Sequence, residues 1–315
     1  MACHSPLQAW QSIEYGGSPI FTKPSMFAGF RSLTLPCQKC IGCRLAKSSE
    51  WAVRLIHELQ YHKESAFLTL TYAPEHLPDK ASLNKSDFPL FMKRYRKSIS
   101  PQRIRFFQCG EYGEQMGRPH HHAIIFGHDF PDKEIYSVRQ GVTLWESPAL
   151  NALWGKGSVK IGQVTFDSCA YVARYITKKI NGPPAKEHYK GRKPEYITMS
   201  NRPGIANQFV KEHIKSIYPH DYVIMFKNGK PFKARPPKYY DKIYDSLEIE
   251  KFKTLDEIKK ARQNNPKLLA YKNSPELQAA QKIADLSKIK ILVRNYETGN
   301  TDELQDASIR PRQKS

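Results

Sequence analysis

The sequence predicts an α+β sandwich in which a largely antiparallel sheet packs against helices on one face. Short apolar runs with β-type residues at 67–72, 103–113, 120–127 and 159–164 predict the strands. A Gly/Pro turn at 113–119 separates the second run from the third, which predicts that the chain returns beside itself. Apolar residues at helical spacing surround these runs.

Up to residue 180 the predicted order is helix, strand, helix, strand, strand, strand, helix. Residues 1–48 contain Pro, Gly and Ser throughout, which predicts irregular structure. Ser49 precedes a helical pattern that runs to residue 62, and a second pattern runs from Ser86 to Lys97. Asp167 is the expected N-cap of the last helix, which ends before Asn-Gly-Pro-Pro at 181–184.

These patterns divide the chain into four segments. They are a Cys-rich N-terminal segment (1–48), a core (49–182), a basic and aromatic-rich extension (183–245), and a charged helical region (246–315). The last dozen residues are polar, and we expect them to be frayed.

Charge is the most unusual feature of the composition. Fifty Lys and Arg oppose 30 Asp and Glu among 315 residues, a net charge of +20, which favours a polyanionic partner. The 40% of hydrophobic residues exclude a disordered basic tail. The chain lacks an 18-residue apolar run and begins without an apolar segment, so we expect neither a membrane nor a secreted protein.

Residues 178–245 concentrate this charge, with fifteen Lys and Arg against six Asp and Glu. Basic groups neutralise phosphates and aromatic rings stack on unpaired bases, so the mixture favours single-stranded nucleic acid. The alternative is a solvated basic face over an ordinary core. The aromatic residues of this segment are Tyr189, Tyr196, Phe209, Tyr218, Tyr222, Phe226, Phe232, Tyr239, Tyr240 and Tyr244.

Three adjacent histidines open the third strand. Side chains two apart share a strand face, so His120 and His122 point together and His121 points away. Glu111, near the end of the preceding strand, adds a carboxylate across the turn. Two nitrogens and one oxygen suit Mn²⁺ or Mg²⁺ that polarises a phosphate. The alternative is a pair of surface histidines beside a turn.

Two tyrosines and two lysines share a helix face further on. Tyr171 and Tyr175 are four residues apart, and Lys178 or Lys179 continues the same face. A nearby cation or a polarised electrophile makes tyrosine a reasonable nucleophile. Tyrosines at this spacing also commonly pack against a sheet, which is the competing interpretation.

Six cysteines fall into two groups. Cys37, Cys40 and Cys43 have the close spacing of a structural zinc site, with Cys3 as fourth ligand and His4 as its alternate. A [4Fe–4S] cluster and reduced, unligated thiols remain open as alternatives. Cys109 and Cys169 are interpreted as packing residues.

The ordered motifs FLTLTY, GEYG…RPHHH and YVARYITKK resemble those of HUH rolling-circle replication initiators, especially the microvirus (gokushovirus-like) branch. PCQKCIGCR and MSNRPGIA also resemble that branch. The resemblance implies an RRM/ferredoxin-like sheet with a metal-binding His-x-His strand, a third ligand at Glu111, and nucleophilic tyrosines at Tyr171 and Tyr175. It departs from the pattern at His121, where the family has a hydrophobic residue, so a role for His121 in metal or DNA contact stays open.

The same resemblance implies an activity. The protein would nick single-stranded DNA at a phage replication origin through a 5′-phosphotyrosyl link, with Lys178 or Lys179 stabilising the phosphate charge. Expected partners are the origin and the host's helicase and replication proteins, in the cytoplasm of the bacterial host. A non-catalytic, zinc-containing nucleic-acid-binding protein is the main alternative. A phosphoesterase acting on small nucleotides is the other, although it leaves the basic segment unexplained.

Overall fold

The computed structural model describes residues 3–25, 29–113, 117–139, 141–175, 184–227, 229–247 and 253–291. Lys178 and Lys179 lie outside these residues. The chain divides into two compact units, one formed by residues 1–49 with 250–292 and the other centred on residues 50–249. The first and last of the four predicted segments therefore contribute to one unit.

The strands are β1 (Leu7–Ser12), β2 (Gly16–Ile20), β3 (Phe30–Leu35), β4 (Ser65–Thr71), β5 (Arg105–Tyr112), β6 (Pro119–Phe126), β7 (Glu134–Arg139), β8 (Val142–Glu146), β9 (Val159–Gly162), β10 (Tyr196–Met199), β11 (Val223–Lys227) and β12 (Lys230–Ala234). The helices are α1 (Ile41–Leu59), α2 (Asp87–Ser98), α3 (Pro148–Trp154), α4 (Phe166–Arg174), α5 (Pro184–Tyr189), α6 (Asn207–Ile217), α7 (Lys238–Ser246), α8 (Leu255–Gln263), α9 (Pro266–Asn273) and α10 (Pro275–Ile291).

The first unit contains a small antiparallel sheet in the order β2-β1-β3. The expectation of irregular structure over residues 1–48 is therefore wrong. Its strands are short, half-exposed and rich in polar residues, so they lack the strong alternation that marks a strand in sequence. The helical prediction for the C-terminal region is confirmed for residues 255–291.

The second unit is built on a seven-stranded sheet in the order β10-β5-β6-β4-β9-β8-β7, with antiparallel pairing throughout. The four predicted strands correspond to β4, β5, β6 and β9. The hairpin β7–β8 and helix α3 were not predicted, because their residues mix polar and apolar types without a clear period.

Helices cover both faces of this sheet, so the expectation of helices on one face is wrong. Successive side chains of β4 point in opposite directions. Leu68 and Leu70 pack with α2 and α3, in a core that includes Phe91 and Trp154. Phe67 packs on the other side with α1 and α4. Because β4 is buried on both faces, its whole run is apolar or small, and the sequence does not reveal which face a helix covers.

Two helix starts also differ from prediction. Helix α1 begins at Ile41, so Ser49 lies inside it. Helix α4 begins after Thr165, whose hydroxyl accepts a hydrogen bond from the Ser168 backbone N–H in a reciprocal capping box. Asp167 instead lies in the first turn, where its carboxylate favours the helix dipole.

Candidate active site

Strands β5 and β6 bring Glu111 to the sheet face that carries His120 and His122. Their antiparallel register places Glu111 opposite His120 and Cys109 opposite His122. Directly opposed side chains point to the same side of the sheet. The prediction that the two histidines share a face, with His121 turned away, is confirmed.

His122 is held from both ring nitrogens. Its Nε2 lies 3.1 Å from Glu111 Oε1, and both side chains are fully buried. Its Nδ1 lies 3.1 Å from the hydroxyl oxygen of Thr69 on β4. The ring of His120 is roughly parallel to that of His122, with centroids 6.5 Å apart. Glu111 thus contacts one imidazole directly, while the second lies beside it on the same face.

Helix α4 places both tyrosines against His122. The Tyr175 ring stacks on that imidazole, with centroids 5.1 Å apart and planes 7° apart. The Tyr171 ring meets the imidazole edge-on at 5.5 Å. The Tyr175 hydroxyl donates a hydrogen bond to the Tyr171 hydroxyl. Both tyrosines are buried, so the sheet-packing interpretation and the proximity to His122 hold together.

A cation accompanies the tyrosines within the described part of the helix. The guanidinium carbon of Arg174 lies 5.6 Å from the centroid of the Tyr171 ring, within cation–π range. Arg174 was not selected from the sequence, because it is three residues from Tyr171 and one from Tyr175 and belongs to no spacing motif.

His121 points into the opposite core and is fully buried. Its Nε2 lies 2.9 Å from the Tyr72 hydroxyl, which donates to Asp87 Oδ2 at 2.8 Å. The Gln108 amide nitrogen lies 3.2 Å from its Nδ1. Burial, and then its two neighbouring histidines, lower the pKa of His121 to about 3, so the ring is neutral. This placement excludes His121 from the face that carries Glu111.

The four cysteines of the first unit converge. The sulfur atoms of Cys3, Cys37, Cys40 and Cys43 all lie within 4.8 Å of one another, and those of Cys3 and Cys40 are 3.8 Å apart. Four thiolates about 2.3 Å from one tetrahedral ion are separated by about 3.8 Å. The group therefore fits a metal ion.

Backbone amides are directed at these sulfurs. The N–H of Cys37 donates to the Cys3 sulfur at 3.2 Å, and that of Cys40 donates to the Cys37 sulfur at 3.2 Å. Burial opposes ionisation of Cys37, but the N–H donors of Cys40 and Lys39 outweigh it and lower its pKa to about 7. A thiolate is therefore accessible near neutral pH, as a metal ligand requires.

His4 does not serve as the alternate ligand. Its Nε2 lies 3.1 Å from Asp285 Oδ2, within the same unit. Cys3 completes the group instead. Cys109 and Cys169 are buried in the core between the sheet and α4, as predicted for packing residues.

Tertiary structure separates the ten aromatic residues of the basic segment. Five are buried and form part of the core: Tyr189, Phe209, Tyr218, Tyr240 and Tyr244. Only Phe226 and Phe232 are well exposed, at 60% and 38%. The core interpretation is therefore correct for half of the set.

Two residues at the site escaped the sequence analysis. Thr69 is opposite His122 in the β4–β6 register. Its sequence signal is a hydroxyl at a strand position that alternates with leucine. Gly113 lies beside His120, because a Cβ added there would be 3.2 Å from that ring's Cε1. Its signal is the second glycine of GEYG.

Comparison with known proteins identifies the family. The sequence model of the ORF2-type replication-associated proteins matches residues 65–180. Replication-associated protein VP4 of Bdellovibrio phage phiMH2K is 31% identical over 264 residues, which cover 81% of each chain. The chain belongs to this family of phage replication-associated proteins. Replication-associated protein ORF2 of Spiroplasma virus 4 is 32% identical over 241 residues, 73% of each chain.

A third relative, replication-associated protein ORF4 of Chlamydia phage 1, is 35% identical over 156 residues, 47% of this chain and 39% of its own. The predicted resemblance to microvirus replication proteins is confirmed. No solved structure matches the chain. The family match contains Glu111, His120, His122 and both tyrosines, whereas the four-cysteine group lies before it. Among the described residues no helix is long and apolar enough to cross a membrane.

Proposed function

We propose that this protein acts in phage DNA replication by nicking and rejoining single-stranded DNA at the replication origin. The observation that carries the proposal is the contact of Tyr171 and Tyr175 with His122, which itself contacts Glu111. A potential nucleophile and a potential metal-binding group thus share one sheet face. Membership of a family of replication-associated proteins supports the same activity.

His120, His122 and Glu111 would hold the divalent ion. Their fit rests on the donor set, since an imidazole nitrogen and a carboxylate oxygen already converge to 3.1 Å in a buried position. Mn²⁺ accepts such mixed nitrogen and oxygen ligands, and Mg²⁺ is the alternative. The ion, when bound, polarises the scissile phosphate and stabilises negative charge on it.

The covalent step exchanges one phosphoester for another. The hydroxyl oxygen of Tyr171 or Tyr175 bonds to phosphorus as its proton leaves, and the bond from phosphorus to the 3′-oxygen breaks. The products are a 5′-phosphotyrosyl link and a free 3′-OH, which primes synthesis. Attack of a 3′-OH on that link restores the phosphodiester and releases the tyrosine without ATP.

The paired hydroxyls suit two successive cuts. The hydrogen bond from Tyr175 to Tyr171 places either oxygen beside the same imidazole. One tyrosine can hold the old 5′ end while the other cuts the new copy. Because both tyrosines are buried in the DNA-free protein, DNA entry has to uncover their hydroxyl groups. Lys178 or Lys179 would stabilise the phosphate charge, and host helicase and replication proteins would extend the primer in the bacterial cytoplasm.

A covalent-adduct assay tests the function. The full chain is incubated with Mn²⁺ and labelled single-stranded origin DNA, and the adduct is resolved on a denaturing gel. We expect an adduct with the wild-type protein and none with Tyr171→Phe/Tyr175→Phe. Tyr244→Phe is the matched control, because it removes a tyrosine hydroxyl in a different part of the core. An adduct that survives the double substitution would refute the assignment.

Substitution of the histidines separates the enzyme from a purely binding protein. In His120→Ala/His122→Ala we expect the adduct to disappear while single-stranded DNA still binds. If the wild-type protein binds DNA and forms no adduct under any divalent ion, the non-catalytic alternative is correct. Binding that ignores salt would instead favour a small-nucleotide phosphoesterase.

We also propose that Cys3, Cys37, Cys40 and Cys43 bind a structural Zn²⁺. Support comes from the 3.8 Å sulfur separation, which suits four thiolates on a single ion. In a four-iron cluster each thiolate binds a different iron, which requires a wider group. Metal analysis of the purified chain should find one zinc, lost in Cys40→Ser. Iron with labile sulfide would overturn the choice of zinc.

A further inference from the structure

The hairpin formed by β11 and β12 has two chemically distinct faces. Val223 and Met225 are buried on one face. On the other face Ile224 and Phe226 are 55% and 60% exposed, although both are large and apolar. Exposed apolar side chains of this size on a short strand pair indicate a contact surface.

Basic groups surround this exposed face. Lys233 is directly opposite Ile224, and Lys227 is paired with Lys230 at the turn end of the hairpin. Residues 222–235 contain four basic and no acidic residues. A protein partner would need an acidic, apolar surface to match. A single DNA strand matches directly, since it offers phosphates to the lysines and an unpaired base to the ring of Phe226.

The buried face joins the hairpin to the helix that carries the tyrosines. The Phe232 ring meets Phe166 edge-on, with centroids 5.7 Å apart. Lys227 Nζ lies 2.8 Å from Asp167 Oδ1. Phe166 and Asp167 form the first turn of α4, four to five residues before Tyr171. At 1.5 Å per residue this is about 6–8 Å along the helix.

We propose that this hairpin holds the single strand beside the scissile phosphate, with Phe226 stacked on an unpaired base and Lys230 and Lys233 on phosphates. The proposal rests on the proposed nicking function, because that function makes a single strand the substrate. It assigns strand holding to one hairpin rather than to the whole basic segment.

Equilibrium binding of a fluorescent single-stranded origin oligonucleotide tests the hairpin. Phe226→Ala should weaken binding about 5- to 150-fold, the loss of one stacked base. Phe226→Trp should bind within about threefold of wild type, because the aromatic face is retained. Lys230→Ala/Lys233→Ala should lower the slope of log affinity against log salt by about 1.4, or about 0.7 for each phosphate contact.

The matched control is Tyr136→Ala on β7. Tyr136 is also an exposed aromatic residue on a hairpin, at 52%, but Glu134 and Glu146 face each other at the end of that hairpin. We expect its affinity for DNA to equal that of wild type. Equal affinity of Phe226→Ala and Tyr136→Ala would overturn the proposal. Loss of affinity for duplex DNA alone would also overturn it.

Adduct kinetics distinguish this proposal from the nicking function. In Phe226→Ala the DNA concentration for half-maximal adduct formation should rise by the same factor as the binding constant. The rate at saturating DNA should stay unchanged, because the tyrosines and their neighbours are intact. If wild type forms no adduct, the nicking function fails, and the binding comparison still decides whether the hairpin holds single strands.

Discussion

Replacement of Thr69 by valine tests how the site orients His122. Valine matches threonine in shape but lacks the hydroxyl that lies 3.1 Å from His122 Nδ1. A hydroxyl can donate or accept, so it serves either tautomer of the ring. With Nε2 bound to a metal ion, Nδ1 carries the proton and donates to Thr69.

The size of the effect follows from burial. Thr69 is 1% exposed and His122 is fully buried, so water cannot replace the lost partner. An unsatisfied buried polar group costs about 1–3 kcal/mol in the free energy of unfolding. Loss of a hydrogen bond that orients a metal ligand weakens metal binding about 10- to 100-fold. Thr69→Ser keeps the hydroxyl and should lie within about threefold of wild type.

Calorimetric titration with Mn²⁺ gives the metal affinity, and thermal unfolding in EDTA gives the stability without metal. We expect Thr69→Val to unfold about 2–4 °C lower for each kcal/mol lost. Its adduct formation should need a correspondingly higher Mn²⁺ concentration. If Thr69→Val loses stability but binds Mn²⁺ as wild type does, Thr69 only stabilises the sheet and the reasoning fails.

Three further predictions concern other positions. Gly113→Ala should weaken Mn²⁺ binding, since its Cβ would lie 3.2 Å from the Cε1 of His120 and displace the ring; unchanged binding in titration calorimetry would contradict this. Burial, and then the charge of His213, lower the pKa of His57 from 6.5 to about 3. The unfolded chain therefore takes up a proton that the folded chain does not between those values, and stability falls with pH by about 1.4 kcal/mol per unit. Urea unfolding between pH 6 and pH 4 should show a shallower decline in His57→Gln, and equal slopes would exclude His57. Gly157→Ala should cost more than about 3 kcal/mol in thermal unfolding, because its Cβ would lie 2.3 Å from a β4 carbonyl oxygen. Gly141→Ala, with open space around a positive φ of 77°, should cost about 1 kcal/mol, and equal costs would contradict the steric argument.

Local periodicity was enough to predict part of the site. The alternation of a strand places His120 and His122 on one face whatever the strand packs against. The spacing of four residues likewise places Tyr171 and Tyr175 on one side of a helix. These relations depend only on backbone geometry within one element, and the structure agrees with them.

The same reasoning was weaker where few apolar residues set a period. The sheet β1–β3 was missed because its strands are short and half-exposed. The start of α4 was misplaced by two residues because Thr165, Asp167 and Ser168 are all good capping residues. Only the backbone geometry shows that Thr165 accepts the first bond.

The sequence by itself determined the order of the elements in the core, the pairing of histidines on one face, and the spacing of the thiols in Cys37–Cys43. Tertiary structure alone decided which groups meet. It brought Cys3 to the other thiols, Thr69 and Tyr175 to His122, and half of the aromatic residues of the basic segment into the core. The reason is physical: periodicity fixes the direction of a side chain within its own element, whereas its partners depend on strand register and packing between residues far apart in the chain.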